Sequence, residues 1–286
     1  DALPIWFDLK AGVDIDNEAC NIFSKRYGIE SYNEIEDALL HIKPDLIILA
    51  VPTSFQLEAI RRIAKCFIPK TILCEKPMGD NLDQGIEIVS ICRKKEISLY
   101  VNYVRRCLPG SKEIKKRIDN GLINAPIKCV FWYSKGLRHN GSHFINLMEY
   151  WFGKCLDSQI INKGRNFQSF GFEPYAYIKF HNCEVSIIPA WEEFYSHYTI
   201  EIISSSGRLY WSQDNLEWTK VIRSENFKGY SFLANESEKI FTGAEKYQMH
   251  AADELYLAMT DQFSSICNGE QALETLHSID SILLMD

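Results

Sequence analysis

Over the first hundred residues, short apolar runs alternate with amphipathic stretches of helical period. The run 45–53 (DLIILAVPT) is continuously apolar and is bounded by Pro44 and Pro52, a pattern typical of a parallel strand buried on both faces. Strands that alternate with helices of about 10–15 residues indicate βαβ units in an open parallel sheet. The predicted strands are 9–16, 45–53, 71–77 and 97–103, and the predicted helices are 17–27, 32–42, 56–66 and 82–96.

The pattern changes after Arg106. Strand-like runs then follow one another, and turn residues at 181–182 and 205–207 predict antiparallel meanders with helices covering one face of the sheet. The segment 224–243 has no clear period. The predicted strands are 126–134, 157–164, 175–182, 183–191, 197–206, 207–212 and 217–224, and the predicted helices are 113–120, 141–152, 244–267 and one from about 272 onward.

The composition narrows the class of protein. With 286 residues, 46% of them hydrophobic, the chain can form a sizeable core. The net charge of -7 argues against nucleic acid as a partner, because phosphate binding requires a basic surface. No apolar run approaches the ~20 residues of a membrane helix, and no signal peptide is visible. Nine cysteines without a CxxC pair argue against a zinc knuckle and indicate a reducing cytoplasm.

Polar side chains stand at the carboxyl ends of all four predicted strands. Asp14 ends the first strand, 50–53 (AVPT) follows the second, 74–78 (CEKPM) ends the third and 101–106 (VNYVRR) ends the fourth. Ligands of open α/β sheets bind at this edge, because side chains there converge on one crevice. The four segments together therefore predict a ligand site, although an isolated EKP would mean little.

Taken together, these segments resemble the glucose–fructose oxidoreductase and inositol dehydrogenase family, and 141–153 (GSHFINLMEYWFG) is similar to the family's second active-site segment. The resemblance implies an α/β protein of two domains. Residues 1–106 would form a Rossmann domain, a doubly wound parallel sheet that binds NAD or NADP. Residues 107–286 would form an α+β domain with a large, open, mostly antiparallel sheet, whose last helix is able to pack back on the Rossmann domain.

The resemblance implies two catalytic residues. Lys76 matches the lysine of the family's EKP motif, which lies beside the nicotinamide and the reacting hydroxyl. An ammonium there stabilises the negative charge that hydride transfer develops on oxygen. His143 matches the histidine that exchanges the hydroxyl proton, and imidazole titrates near neutrality as a general base requires. The resemblance also implies a cis peptide bond between Lys76 and Pro77.

The resemblance places the cofactor along the strand ends. Asp14 stands where a carboxylate accepts hydrogen bonds from the adenosine ribose, and Glu75 matches an acid that contacts a cofactor ribose. A 2′-phosphate would meet like charge at Asp14, and residues 15–17 supply no arginine to receive it, so NAD is expected rather than NADP. The implied cofactor-binding set is Asp14, Pro52, Thr53, Glu75, Lys76 and Asn102.

The chain departs from the family pattern in three places. The first strand and Gly-rich turn that bind the pyrophosphate are absent from the given chain, which opens at Asp1 without methionine, so we expect an incomplete copy of the natural protein. His139 stands where relatives carry an acid four residues before the catalytic histidine, and Asn146 replaces another acid. His139 and His143 would share one face if the helix starts early. No HExxH pattern or acidic third ligand accompanies them, so no metal is expected.

Substrate contacts are less sharply indicated. Arg105 and Arg106 follow a strand at the domain junction, and either could bind a phosphate or carboxylate in a bidentate way or be a solvated arginine. We take Arg105, His139 and Asn146 as the substrate-binding set. Trp132 and Trp191 could stack on a sugar, but aromatic residues in strands more often belong to the core.

These observations predict a nicotinamide-dependent oxidoreductase that acts on a hydroxyl or keto carbon of a sugar. By analogy the substrate is a nucleotide sugar of bacterial surface-polysaccharide synthesis. Two alternatives stay open: a non-catalytic relative that senses the dinucleotide, and a reductase of a non-sugar ketone or imine. A homodimer or homotetramer packed through one bare face of the C-terminal sheet is expected, which light scattering would test.

Overall fold

The computed structural model describes residues 6–284, and residues 1–5 and 285–286 lie outside it. The chain divides into two compact units. The first unit comprises 1–103 and 251–273, and the second comprises 104–250 and 274–286. The polypeptide therefore returns once to each unit after first leaving it.

The first unit is built on parallel strands, as predicted. Its main sheet has four strands, in the order Cys267–Asn268, Ser98–Val101, Thr71–Cys74 and Leu46–Leu49. The last three are parallel to one another, and Cys267–Asn268 is antiparallel at one edge. β1 and β2 form a separate parallel pair. The elements up to residue 103 are β1 Gly12–Val13, α1 Asn17–Tyr27, β2 Ser31–Tyr32, α2 Ile35–Ile42, β3 Leu46–Leu49, α3 Thr53–Cys66, β4 Thr71–Cys74, α4 Leu82–Lys94 and β5 Ser98–Val101.

The prediction that 45–53 is buried on both faces is wrong. β3 lies at the edge of its sheet, and the side chain of Ile48 is 49% exposed while Leu49 is buried. A strand with a neighbour on one side only lacks cover along its outer flank. The apolar run alone did not distinguish an edge from a central position.

The second unit is built on a nine-stranded mixed sheet. Eight strands run in the order β13-β12-β11-β10-β6-β9-β8-β7, and β14 pairs with β12. Every pair is antiparallel except β6 with β9, which confirms the mostly antiparallel sheet. The elements after residue 103 are α5 Pro109–Asp119, β6 Ile127–Tyr133, α6 Ser142–Phe152, β7 Asp157–Asn166, β8 Phe172–Lys179, β9 Cys183–Pro189, β10 Thr199–Ser204, β11 Gly207–Ser212, β12 Asn215–Arg223, β13 Ser231–Leu233, β14 Glu238–Lys239, α7 Tyr247–Met259, β15 Cys267–Asn268 and α8 Gly269–Leu283.

Alternation along the strands separates the two faces of this sheet. In β6, Phe131 and Tyr133 are fully buried in a core that also takes residues from α5, α6 and the end of α8, whereas Trp132 points to the opposite face. That opposite face is more polar than expected, since it carries the Lys128–Glu184 ion pair (3.0 Å). Assembly through this face stays a prediction.

The helix predicted over 244–267 is wrong in its second half. The α-helix spans Tyr247–Met259, and Cys267–Asn268 forms β15. Within the first unit, Glu254 accepts hydrogen bonds from Ser264 Oγ (3.0 Å) and Ser265 N (2.6 Å), which fixes the reversal of the chain. None of the helices in residues 6–284 combines the length and apolar character needed to cross a bilayer.

Candidate active site

The carboxyl ends of β4 and β5 bring Glu75 and Asn102 together in the first unit. Asn102 Nδ2 donates to Glu75 Oε1 at 2.8 Å. Gln56, which is fully buried, donates to the carbonyl oxygen of Glu75 (2.8 Å) and accepts from Gly79 N (2.7 Å). Gln56 therefore fixes both ends of the turn that carries Lys76. Sequence reasoning missed Gln56, because a glutamine inside an amphipathic helix gives no signal of this role.

Lys76 lies at the carboxyl end of β4, as the sequence predicted. Its side chain is partly exposed, and the Lys76–Pro77 peptide bond is cis, which confirms that prediction. Pro52 and Thr53 follow β3 at the same edge of the sheet, and the Thr53 hydroxyl donates to Asp80. The segments after the parallel strands thus meet at one edge of the first unit.

Asp14 lies directly after β1, and its side chain is exposed. Asp14 Oδ1 accepts a hydrogen bond from Asp16 N (2.9 Å), and Asp16 in turn caps α1 by accepting from Glu18 N (2.8 Å). Asn33 Nδ2 donates to the carbonyl oxygen of Asp14 at 3.1 Å. These contacts hold an exposed carboxylate at the end of a parallel strand, which fits the hydroxyls of a ribose.

In the second unit, a π-helical turn over Gly136–Gly141 precedes α6. The entry to this turn needs glycine, because Gly136 has φ of 76° and a Cβ there would lie 2.0 Å from the carbonyl oxygen of Phe170. Buried Glu173 accepts from the backbone N–H groups of Lys135 (2.8 Å) and Gly136 (3.1 Å), and from Arg165 Nε (2.8 Å). Glu173 thus positions the start of the segment that carries both histidines.

His143 lies in the first turn of α6 and is 9% exposed. His139 lies in the π-helical turn, where its ring packs 5.1 Å from that of Phe170 and its carbonyl oxygen accepts from Ser142 Oγ (3.0 Å). The π-helical turn runs directly into α6, so the chain is already helical at His139, but with the wider π turn in place of the α-helical spacing that the prediction assumed.

Asn146 and Glu149 fasten α6 to α8 in the second unit. Asn146 is buried and donates from Nδ2 to Thr275 Oγ1 at 2.9 Å, which favours a structural role over substrate binding. Glu149 accepts from the hydroxyls of Thr275 and Ser278, the latter at 2.6 Å. Burial raises the pKa of Glu149 to about 7; nearby Glu274 adds to this, and the two hydroxyls and Arg106 oppose it.

Replacing Glu149 with glutamine is expected to change how stability depends on pH. The folded state favours the protonated carboxyl, so the stabilisation from Glu149 is complete below its unfolded pKa near 4.5 and is lost as the pH rises through about 7. Relative to Glu149→Gln, the free energy of unfolding of the wild type should therefore fall by up to about 3 kcal/mol between pH 5 and pH 8. Urea unfolding of both proteins at the two pH values measures this. An exposed control, Glu236→Gln, should show no such difference. If the free energies of unfolding of the wild type and Glu149→Gln differed by the same amount at both pH values, the expectation would be contradicted.

The two adjacent arginines differ in their surroundings. Arg105 lies in the 3₁₀ turn Val104–Cys107, with its guanidinium carbon 5.0 Å from the ring centre of Phe144 and 4.6 Å from that of Tyr198. Arg106 is buried and stacks on Tyr150 at 4.7 Å. Trp132, on the far face of β6, lines a shallow aromatic hollow with Trp191, away from the face that α6 covers.

Comparison with known proteins shows a likeness to one family over the first unit. A model of the oxidoreductase family with an NAD-binding Rossmann fold matches residues 6–103. This part of the chain is similar to that family. The uncharacterized oxidoreductase YrbE of Bacillus subtilis is 32% identical over 120 residues, which cover 41% of this chain and 34% of YrbE. The chain thus matches about a third of the length of this curated relative.

Solved structures extend the likeness in fold to nearly the whole chain. An oxidoreductase from Thermotoga maritima has a TM-score of 0.78 at 18% identity, covering 97% of this chain and 88% of that one. The WlbA dehydrogenase from Bordetella pertussis, crystallised with NADH and UDP-GlcNAcA, has a TM-score of 0.74 at 14% identity, covering 96% of this chain and 86% of that one. Both units therefore have the fold seen in oxidoreductases.

Proposed function

We propose that the protein is a nicotinamide-dependent oxidoreductase that acts on a hydroxyl or keto carbon of a sugar, with a nucleotide sugar as the first candidate. The observation that carries the proposal is the carboxyl edge of the first unit, where Lys76 directly follows Glu75, whose carboxylate accepts a hydrogen bond from Asn102. The family match over 6–103 and the named dehydrogenases among the relatives support it. UDP-GlcNAcA in the WlbA structure supports the nucleotide sugar.

The residues of the first unit fit a dinucleotide. Asp14 offers an exposed carboxylate to the ribose hydroxyls, and Glu75, held by Asn102, offers another. When bound, the nicotinamide accepts or supplies the hydride. In the oxidation of a carbinol, a bound nicotinamide would take the hydride of the C–H bond, and His143 would accept the proton of the O–H bond. Lys76 stabilises the charge that develops on the oxygen.

A turnover panel tests the proposal. Purified protein is assayed for oxidation of nucleotide sugars, free sugars and inositols with NAD and with NADP, and for reduction of simple ketones and imines with NADH and with NADPH. Formation or loss of the reduced cofactor is followed by absorbance. Oxidation of at least one sugar substrate is expected. Tight NADH binding without turnover of any substrate would favour a dinucleotide-sensing relative, and turnover confined to simple ketones or imines would favour the non-sugar reductase.

Asp14 should decide which dinucleotide binds. Its carboxylate accepts hydrogen bonds from ribose hydroxyls and repels a 2′-phosphate, so NAD should bind more tightly than NADP. Asp14→Ser should weaken NAD binding by about 10-fold, since a charge-assisted hydrogen bond contributes roughly 1.5–3 kcal/mol. The variant should therefore prefer NAD over NADP less strongly than the wild type does. Fluorescence titration with NADH and NADPH measures both affinities. Tighter binding of NADPH to the wild type would overturn the assignment.

A further inference from the structure

Within the described part of the second unit, Arg105 has no anionic partner. Among residues 6–284, no carboxylate lies within ion-pair distance of its guanidinium, and its buried Nε lacks a hydrogen-bond acceptor. Four other arginines of this unit are paired: Arg117 with Glu113 and Glu238, Arg138 with Asp280, Arg165 with Glu173 and Glu193, and Arg208 with Glu201. Arg223 is exposed, and the neighbouring Arg106 also has a buried Nε without an acceptor. A buried charged donor without an acceptor is unfavourable, so the fold holds this cation for a reason other than internal pairing.

Two aromatic rings contact this cation. Phe144 and Tyr198 both lie against the guanidinium of Arg105, at 5.0 Å and 4.6 Å from ring centre to Cζ. These cation–π contacts hold the guanidinium in place without supplying a hydrogen-bond acceptor for its N–H groups. The side chain remains partly exposed, so its edge is not sealed from solvent. Burial lowers the pKa of Arg105, as expected for a cation that lacks a counter-ion.

The location ties this cation to the proposed chemistry. Phe144 directly follows His143 in the first turn of α6, so Arg105 packs against the residue next to the proposed proton acceptor. Arg106 does not compete for the role, because it is buried on Tyr150 and its charge acts on Glu149. Of the two arginines that the sequence left open, these surroundings favour Arg105.

We propose that Arg105 binds an anionic group of the substrate, a carboxylate or a phosphate, and so restricts the enzyme to anionic sugars. The proposal rests on the function proposed above and specifies its substrate class. A carboxylate or phosphate oxygen pair matches the edge of a guanidinium in a bidentate way. The ligand would supply the missing counter-charge through the part of the guanidinium that solvent reaches.

Three matched probes distinguish the two anionic groups. UDP-N-acetylglucosaminuronate carries a carboxylate and a diphosphate, UDP-N-acetylglucosamine carries the diphosphate only, and N-acetylglucosamine is neutral. Binding of each to the NADH-loaded protein is measured by calorimetry, alongside turnover. The wild type should bind at least one UDP probe and prefer it strongly to the neutral sugar. Preference for the uronate over UDP-N-acetylglucosamine would identify the carboxylate as the group bound, and equal binding of the two would identify the phosphate.

Variants of Arg105 then test the residue itself. Arg105→Gln should weaken binding of the preferred anionic probe by about 10- to 100-fold, raising KM far more than it lowers kcat, because the contact is made in the ground state. Arg105→Lys keeps the positive charge but lacks the two parallel N–H donors of the guanidinium, so it should bind the anionic probe more tightly than Arg105→Gln and less tightly than the wild type. Arg208→Gln, which removes a paired arginine of β11 on the other face of the sheet, should bind like the wild type.

Two results would overturn the role of Arg105. One is affinity of Arg105→Gln within twofold of the wild type for every anionic probe, and the other is equal wild-type affinity for the neutral sugar. Thermal melting checks that the variant is folded; if Arg105→Gln does not fold, the comparison of wild type and Arg105→Lys across the three probes still decides. Failure of NADH to bind at all would count against the proposed function, whereas calorimetry with the UDP probes on the NADH-free protein still tests Arg105 independently.

Discussion

Lys76→Ala is expected to lower kcat by roughly 10²- to 10³-fold on the substrate that the turnover panel identifies, while NAD affinity changes little. Lys76 stands after β4 on a turn that Gln56 fixes through the Glu75 carbonyl and Gly79 N–H. A group held in advance where charge develops stabilises the transition state more than the ground state, so its loss appears in kcat. Steady-state kinetics together with NADH titration measure the two effects separately.

The same strand supplies a matched control for this variant. Lys70 directly precedes β4, at its amino end, and pairs with Asp45 at 2.7 Å on the surface. Lys70→Ala removes an equal charge from the same strand and should keep kcat, since an exposed ion pair contributes little. Lys76→Arg should retain part of the activity because it keeps the charge. Near-wild-type kcat of Lys76→Ala would show that Lys76 plays no part in the reaction.

Elements whose signals are local could be predicted closely from the sequence. The helix α1 was predicted with its observed bounds, Asn17–Tyr27. In the structure Asp16 caps its first turn and Gly28 adopts a left-handed φ of 67° at its end, so local residues set both ends. The alternation of strands and helices likewise gave the parallel sheet of the first unit and the carboxyl edge where Lys76 lies. These signals need only a few neighbouring residues.

Features that depend on distant residues could not be predicted. The chain reverses after α7 because the Glu254 carboxylate accepts hydrogen bonds from Ser264 and Ser265. Cys267–Asn268 then pairs with β5, which lies more than 160 residues earlier in the chain. A helical pattern continued through that segment and gave no warning. Glu173 lies outside the predicted strands and was not singled out, although its side chain is buried and accepts hydrogen bonds from the backbone N–H groups of Lys135 and Gly136. Long-range polar contacts of this kind leave no periodic trace.

In the candidate site, too, the residue types could be predicted from the sequence, whereas their long-range contacts could not. The residue types at positions 76 and 143 carry the proposed chemistry and are visible in the sequence. What the sequence lacked was the state of their neighbours: Asn146 is engaged by Thr275, and His139 lies in a π-helical turn packed on Phe170. The contact with Thr275 favours a structural role for Asn146, and Arg105 and His139 stay as the proposed substrate contacts. Only Arg105 of these two offers a buried donor in need of an acceptor.

His143→Ala is expected to lower kcat/KM by about 10²- to 10⁴-fold, the span typical of a lost general base. In the wild type, kcat/KM for oxidation should rise with pH as His143 loses its proton, because only neutral imidazole can accept the hydroxyl proton. That ascending limb should flatten in the variant, whose residual rate no longer depends on an imidazole. Loss of rate alone could reflect misplacement of α6, so the change in the pH profile is the decisive measurement.

Two other histidines provide the controls. His181→Ala alters an exposed residue between β8 and β9 and should leave the profile unchanged. His139→Ala is informative because His139 replaces an acid of the family pattern beside the proposed base: a large loss would mean that it supports His143, and a small loss would make it a bystander. If His143→Ala kept both a near-wild-type rate and the ascending limb, the proton would have to leave through another group, and the mechanism proposed for His143 would be wrong.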